Sequence, residues 1–335
     1  MLAMSPVLSL PLATLGVYCA ETLPGQPPAT PRLPLAFEPL LFLTSAHQAL
    51  QQHNHPVLAF FLEDKAAGQT VAQLYVVPDF AASGRARSPG QASFGGVQLA
   101  PDLPVAALHL LLDAVEATLR RHGQRQLEVR GYPFCYDHSG AATLAEALRQ
   151  RTYEVVLAEE NYYLDTQRDY EAHLHRSERK RLRKCYRQGL VVEQEPPLLL
   201  PAAYAFIAAC RQERGQPLSL PLARVEALFR AFPRQHFLFS VRRPSGEWVA
   251  MSLAIRVSAR VLYNFYQASP LAANDVSPVV LLNEGLHDFA KANELSVVDL
   301  GISTLPGGVP HDSLLQFKRH LGCVASLKLT WHKAL

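Results

Sequence analysis

Between residues 176 and 187 the chain places seven Lys or Arg against one Glu. On a helix Arg176, Lys180, Arg183, Lys184 and Arg187 share one side, because steps of three and four residues keep side chains on one face. Charge runs are ordinarily solvated faces. This one has few acidic i,i+4 partners and reads as a stripe that contacts an anionic substrate. No DNA-binding signature accompanies it, so DNA is not an expected partner. Tyr263 and Tyr266 lie in one alternating run, and a phenol can return a proton to a leaving group, although strand tyrosines are more often packed across neighbouring strands. Alternation lets at most one of the two face a substrate; Tyr266, nearer the end of the run, is the expected one. Asp299 stands just before Gly301 at the end of another apolar run, where parallel-sheet architectures commonly place functional groups. Its plainer role would be to cap the loop that follows. Glu284 is a weaker candidate base.

Other chemistries find no constellation. Cys19, Cys135, Cys185, Cys210 and Cys323 are scattered, odd in number and without a C-x-x-C pair. They form neither metal-ligand spacing nor a disulfide framework, which fits a reducing cytoplasm. The histidines are dispersed too; His53/His55 and His173/His175 are i,i+2 pairs, and no metal is expected. No Ser/His/Asp or Cys/His nucleophile can be assembled. A formal charge of +3 is too small to imply nucleic acid by itself. Residues 8–20 are apolar, but no Lys or Arg precedes Arg32, Cys19 follows Tyr18, and Pro6 and Pro11 interrupt the stretch. A packed leader strand is expected there rather than a signal peptide. No run approaches the ~20 apolar residues of a membrane-spanning helix.

The elements that must position these residues fall into two similar series. In the first half, strands are expected at 55–62, 70–77 and 93–99, a helix at 104–122, a strand at 126–130, a helix at 141–151 and a strand at 153–164. In the second, strands are expected at 236–242, 248–257 and 260–268, a helix at 278–293, a strand at 296–300, a helix at 313–320 and a strand at 324–331. Two helices, 201–214 and 222–232, and the charged segment 169–188 precede the second series. Both series run β-β-β-α-β-α-β, the pattern of a tandem duplication. The loop 303–312, with Pro306-Gly307-Gly308, is mobile by composition and reads as a lid.

Two stretches then carry a resemblance. Ser277-Pro278-Val279-Val280-Leu281-Leu282 opens a helix after Val261-Leu262-Tyr263-Asn264-Phe265-Tyr266, and Asp299-Leu300-Gly301 is followed by Phe317-Lys318-Arg319-His320-Leu321-Gly322. In that order they resemble the serine-proline helix, D-x-G strand end and F-K-x-x-x-G helix of FemAB-type and BioF2-like proteins of the GNAT acyltransferase superfamily. The basic run resembles the basic helix of that family. The resemblance implies tandem GNAT folds, with the acyl donor in a cleft where two parallel strands, 260–268 and 296–300, splay apart. Ser277 would head the helix at the donor's phosphates, with Val279, Tyr263 and Phe317 beside the donor. Serine is a good N-cap, proline suits the first helical position, and a helix start attracts anions. The resemblance further places Lys318 near the transfer centre, a fixed cation for a developing oxyanion. One departure stands out: the loop 271–276 lacks the glycines that would close backbone amides on a pyrophosphate, and Asp275 adds a negative charge.

The expectation is therefore an α+β (α/β) protein of tandem GNAT-like domains, each a mixed, mostly antiparallel sheet flanked by helices. Residues 1–165 would be a degenerate copy and 166–335 the acyltransferase-like domain. Its function would be N-acyl transfer from acyl-CoA to a small-molecule or peptide amine by direct attack. Lys318, Asp299 and Tyr266 would be catalytic, and Arg176, Lys180, Arg183 and Lys184 would bind substrate. The alternatives are a FemAB-type transferase using aminoacyl-tRNA on a cell-envelope precursor, and a non-catalytic binding module.

Overall fold

The structure, a computed structural model, describes residues 12–51, 55–79, 84–304 and 308–335. Strands β1 (Leu15–Thr22), β2 (Val57–Asp64) and β3 (Gln69–Val76) form an antiparallel meander. All eight residues of β2 are buried, the signature of a strand covered on both faces. Leu58, Phe60 and Leu62 share a core with Leu108, Leu111, Leu112 and Val115, while Val57, Ala59 and Phe61 pack with Tyr75 on the other side. Between β1 and β2 lies helix α1 (Ser45–Gln51). Two short strands follow β3: β4 (Arg85–Ser88) and β5 (Gln98–Leu99). The helix α2 (Val105–Arg121) carries the buried stripe its period predicts and ends at Gly123, whose left-handed backbone directs its N–H to the Arg120 carbonyl. β6 (Gln126–Arg130), α3 (His138–Gln150) and β7 (Glu154–Asp165) complete the first series.

The second series opens with α4 (Tyr170–His173), the basic α5 (Arg176–Arg187), β8 (Val191–Glu195), α6 (Leu200–Gln212) and α7 (Leu222–Ala231). Then come β9 (His236–Arg242), β10 (Trp248–Arg256), β11 (Val261–Ala268), α8 (Pro278–Ala292), β12 (Val297–Ile302), α9 (Asp312–His320) and β13 (Val324–Ala334). Strands β8 to β11 are successive antiparallel neighbours and β12 joins β11 in parallel. The stripe Val280, Leu281, Leu282, Leu286 and Ala290 of α8 packs on Phe239, Val241, Ala250 and Leu262 of this sheet. Burying each such side chain stabilises by roughly 1.5–3 kcal/mol.

The chain divides into two compact units, 1–158 with 327–335, and 159–326. The halves 1–165 and 166–335 differ from these units because the last strands are exchanged. Asn161–Asp165 of β7 pair with β12 in the second unit, and Thr330–Ala334 of β13 pair with β6 in the first. Three further differences have local causes. The strand expected at 93–99 is confined to Gln98–Leu99, because residues 89–97 fold back as a loop. β4 escapes the sequence reading because Arg-Ala-Arg-Ser lacks branched or aromatic residues, although Ala86 and Ser88 alternate inward. The expected leader strand forms as β1 from Leu15 onward, while residues 8–11 lie outside the described residues, as do 305–307 of the expected lid.

Candidate functional site

β11 and β12 pair over three positions, Val261–Val297, Leu262–Val298 and Tyr263–Asp299. Two local features then drive them apart. Against β10 the register shifts so that Leu253 faces Tyr266 and Ala254 faces Asn264, leaving Phe265 as an extra residue. A bulge of this kind bends its strand and increases its twist. In β12 Gly301 takes a left-handed φ of 71°, and Asp299 Oδ1 accepts the Gly301 N–H at 2.7 Å. The turn needs glycine, since other residues are strained there. The gap opens into a cavity of about 700 Å³, an ordinary size for a small-molecule site.

Tyr263, Phe265 and Gln267 of β11 form one wall of this cavity and Leu300, Gly301 and Ile302 of β12 another. Phe317 and Lys318 reach it from α9, Arg181 from α5, Ser277 and Val279 from the start of α8, and Cys210, Arg211 and Arg214 from the end of α6. Lys318 is 4% exposed, and its Nζ donates to the carbonyls of Gly301 and Ile302, each at 2.8 Å. Burial pushes its pKa down to about 8, and the carboxylate of Asp299 opposes that shift. An ammonium is thus fixed where the two strands separate.

Several sequence expectations need correction. Asp299 is buried and does not line the cavity. It accepts from Asn161 Nδ2 at 2.7 Å and from Gly301, so it shapes the turn that holds Lys318. Tyr266 is on the wrong face: it is 3% exposed, and its hydroxyl bonds Ser219 Oγ at 2.6 Å and accepts the Leu220 N–H at 3.0 Å. Tyr263 takes the cavity position instead. Ser277 heads α8 but in a left-handed conformation without a side-chain cap; its Oγ donates to the Asn274 carbonyl at 3.0 Å. Glu284 accepts from the Tyr186 hydroxyl and does not line the cavity; burial raises its pKa, against that hydrogen bond.

The basic helix is likewise divided. Lys184 Nζ donates to the Asp275 carbonyl at 2.7 Å and its carboxylate at 3.1 Å, which offsets the negative charge that Asp275 adds to this loop. Arg183 pairs with Glu171 at 3.3 Å. Arg176 and Lys180 are exposed and outside the cavity lining. The cavity residue of this helix is Arg181, held at 2.8 Å by the buried Glu178 three residues earlier. At the loop 271–276 most amides are already engaged: the N–H groups of Ala273, Asn274, Val276 and Ser277 donate to carbonyls of Pro270, Leu271 and Ala273. Guanidinium groups stand at the cavity in their place. Arg211, Arg214 and Gln267 escaped the sequence reading, because cations at a helix end and a glutamine in a strand are unremarkable one residue at a time.

A mixed sheet whose two central parallel strands splay over a cavity, with a helix starting at its mouth, defines an acyltransferase-type architecture of the GNAT class. Residues 173–319 match the family model described as acetyltransferase (GNAT) domain. The fold is similar to that of FemX (TM-score 0.64, 12% identity, covering 83% of this chain and 87% of that one). It is also similar to L-PGS from Bacillus licheniformis (TM-score 0.52, 11% identity, 80% and 82%). A third similar structure is the C-terminal DUF2156 domain of a putative lysylphosphatidylglycerol synthetase from Agrobacterium fabrum (TM-score 0.51, 10% identity, 78% and 80%). At such identities the likeness shows the fold. No curated protein matches the chain. Among the described residues no helix is long and apolar enough to cross a membrane, and no group of His, Cys, Asp and Glu stands where it could hold a metal ion.

Proposed function

We propose that the second unit is an N-acyltransferase that moves an acyl group from an acyl-CoA thioester to the amine of a small molecule or peptide. The observation that carries this reading is the separation of β11 and β12 into the cavity with the Lys318 ammonium fixed at their divergence. The amine nitrogen attacks the thioester carbonyl, its carbon–oxygen double bond opens, and Lys318 stabilises the oxyanion so formed. Collapse breaks the carbon–sulfur bond, and the proton that the attacking nitrogen gives up passes to the leaving thiolate, with Tyr263 on the cavity wall as a candidate relay. Direct attack needs no covalent enzyme intermediate. Arg181 and Arg214 support recognition of the donor's phosphates by side chains rather than loop amides. The residues present thus fit a phosphate-bearing donor, by a different device from a glycine loop. Residues 1–165 read as the diverged copy of the same ancestral domain.

The test is release of CoA thiol from acetyl-CoA and longer acyl-CoA with a panel of amines, beside thermal shift by each thioester. Neither binding nor amine-dependent thiol release with any thioester would sink this reading. The exposed Arg176 and Lys180, together with the spent loop amides, favour one second reading, an aminoacyl-tRNA donor. A titration with tRNA at two salt concentrations distinguishes them: phosphate-dominated binding weakens steeply with salt, and absence of binding at low salt removes this alternative.

A further inference from the structure

One cation in the cavity has no counter-charge. Arg181 is paired with Glu178. Arg214 bonds the Cys210 carbonyl at 2.9 Å and lies 3.9 Å from Glu213. Lys318 is held by two carbonyls beside Asp299. Arg211 differs: its Nε is buried with no hydrogen-bond partner, and no carboxylate of the described residues pairs with it. The residues outside the described set contain no Asp or Glu, so none of them supplies the missing charge. Burial lowers the Arg211 pKa. The Nε2 of Gln267, on the same cavity, is also buried without a partner.

Two orphaned donors on residues that line one cavity are costly unless an acceptor reaches them. The platform for one of them is fixed. The Arg211 guanidinium lies 5.3 Å from the Tyr266 ring centroid, and that ring is anchored by Ser219 and Leu220. A guanidinium presents its Nε–H and one terminal N–H side by side, the spacing that matches the two oxygens of a carboxylate. A single unbalanced positive charge is neutralised by a monoanion, whereas a phosphate dianion would leave an excess buried negative charge.

We infer that Arg211 and Gln267 form a subsite for a carboxylate on the cavity's ligand, so that one of the two substrates, an amino-acid-class amine or a dicarboxylic acyl group, carries a free carboxylate. This rests on reading the cavity as a transferase site, and it names the substrate class that site takes.

The experiment measures binding to the full chain by calorimetry and thermal shift, with free amino acids and dipeptides against their C-terminal carboxamides. Succinyl-CoA against acetyl-CoA forms a second arm, and inorganic phosphate a third. The expected result is that, in the first or second arm, the carboxylate form binds roughly ten- to hundredfold tighter than its neutral partner, the size expected for a charged hydrogen-bonded pair. That preference should vanish in Arg211→Gln. The first arm responding puts the carboxylate on the acceptor; the second puts it on the acyl group. Gln267→Glu should also abolish the preference, by supplying Arg211 with an internal partner, and should raise the melting temperature of the free protein. Equal binding of acids and their neutral partners, a preference retained in both variants, or phosphate binding ahead of every carboxylate would each overturn the subsite. Acetyl-CoA turnover without any carboxylate preference removes this inference and leaves the transferase reading. Arg211-dependent carboxylate binding without any thioester binding does the reverse.

Discussion

The two units handle the same strand geometry in opposite ways. In the first, β4 and β6 are parallel over four positions, Arg85–Gln126 to Ser88–Val129; in the second, β11 and β12 are parallel over three. Beyond the β4–β6 pairing, however, residues 89–97 fold back over the strand ends. Gly95 donates its N–H to the Arg130 carbonyl at 2.8 Å, and Gly96 donates to Ser88 Oγ at 2.9 Å. A Cβ at residue 95 would lie 2.6 Å from the Pro89 nitrogen, so only glycine allows this approach. Phe94, 2% exposed, then packs with Phe42, Tyr132 and Tyr136 at ring-centroid distances of 4.8, 6.4 and 5.4 Å. The second unit sends the chain from β11 into the turn at 271–277 and leaves its gap open. In the first unit the strand-end loop and Phe94 fill the ends of the parallel pair, whereas in the second the pair ends at a cavity.

The largest expected effect tests the plug. Phe94→Ala should cost about 3–5 kcal/mol of unfolding free energy, the usual range for a buried phenylalanine, read from urea denaturation. Acyl transfer by the folded fraction should be unchanged. A cost near zero would mean that the aromatic cluster does not fill the counterpart of the cavity, and the contrast between the units would fail.

Lys318→Met tests the open copy. Removing a preorganised charge of this kind lowers kcat by roughly 10²–10³, with KM for the thioester less affected. The pH dependence carries a distinguishing sign. The Lys318 pKa is lowered from 10.5 to about 8 in the folded protein. Below about 8 both folded and unfolded chains hold the proton, and the burial penalty is present in full. From about 8 to 10.5 the unfolded chain binds more protons, so stability rises with pH. The melting temperature of the native protein relative to Lys318→Met should therefore rise from pH 8 toward 10. Turnover should fall over the same interval if the ammonium is the working form. Parallel rise of stability and rate would assign Lys318 to base chemistry instead.

What the sequence could and could not disclose follows from range. Helical periods marked α2 and α8, and the order of Ser277-Pro278, Asp299-Leu300-Gly301 and Phe317-Lys318 marked the GNAT-type domain, because these signals are local. Alternation already puts Tyr263 and Tyr266 on opposite faces of β11, but which face borders the cavity is set by what packs on each side of the sheet. The exchange of β7 and β13 is decided by pairing partners far away in the chain. Arg211 acquires meaning from the absence of a carboxylate around it, a property of the folded neighbourhood.

The smallest expected effect concerns α5, which also distinguishes the units, since the basic run 176–187 has no counterpart in the sequence of the first half. If the loops alone decide which copy is open, reversing the exposed Arg176 and Lys180 to Glu should change stability by no more than about 0.5 kcal/mol, as for most surface substitutions. CoA-dependent turnover should stay within about twofold, because neither side chain lines the cavity and screened surface charge acts weakly over more than ~10 Å. Arg181 on the same helix is the internal contrast: it reaches the cavity and is anchored by Glu178. A loss of roughly tenfold or more in Arg176→Glu/Lys180→Glu, with the melting temperature intact, would move the difference between the units from the strand-end loop to the helix. It would then favour a long polyanionic donor running across that exposed face.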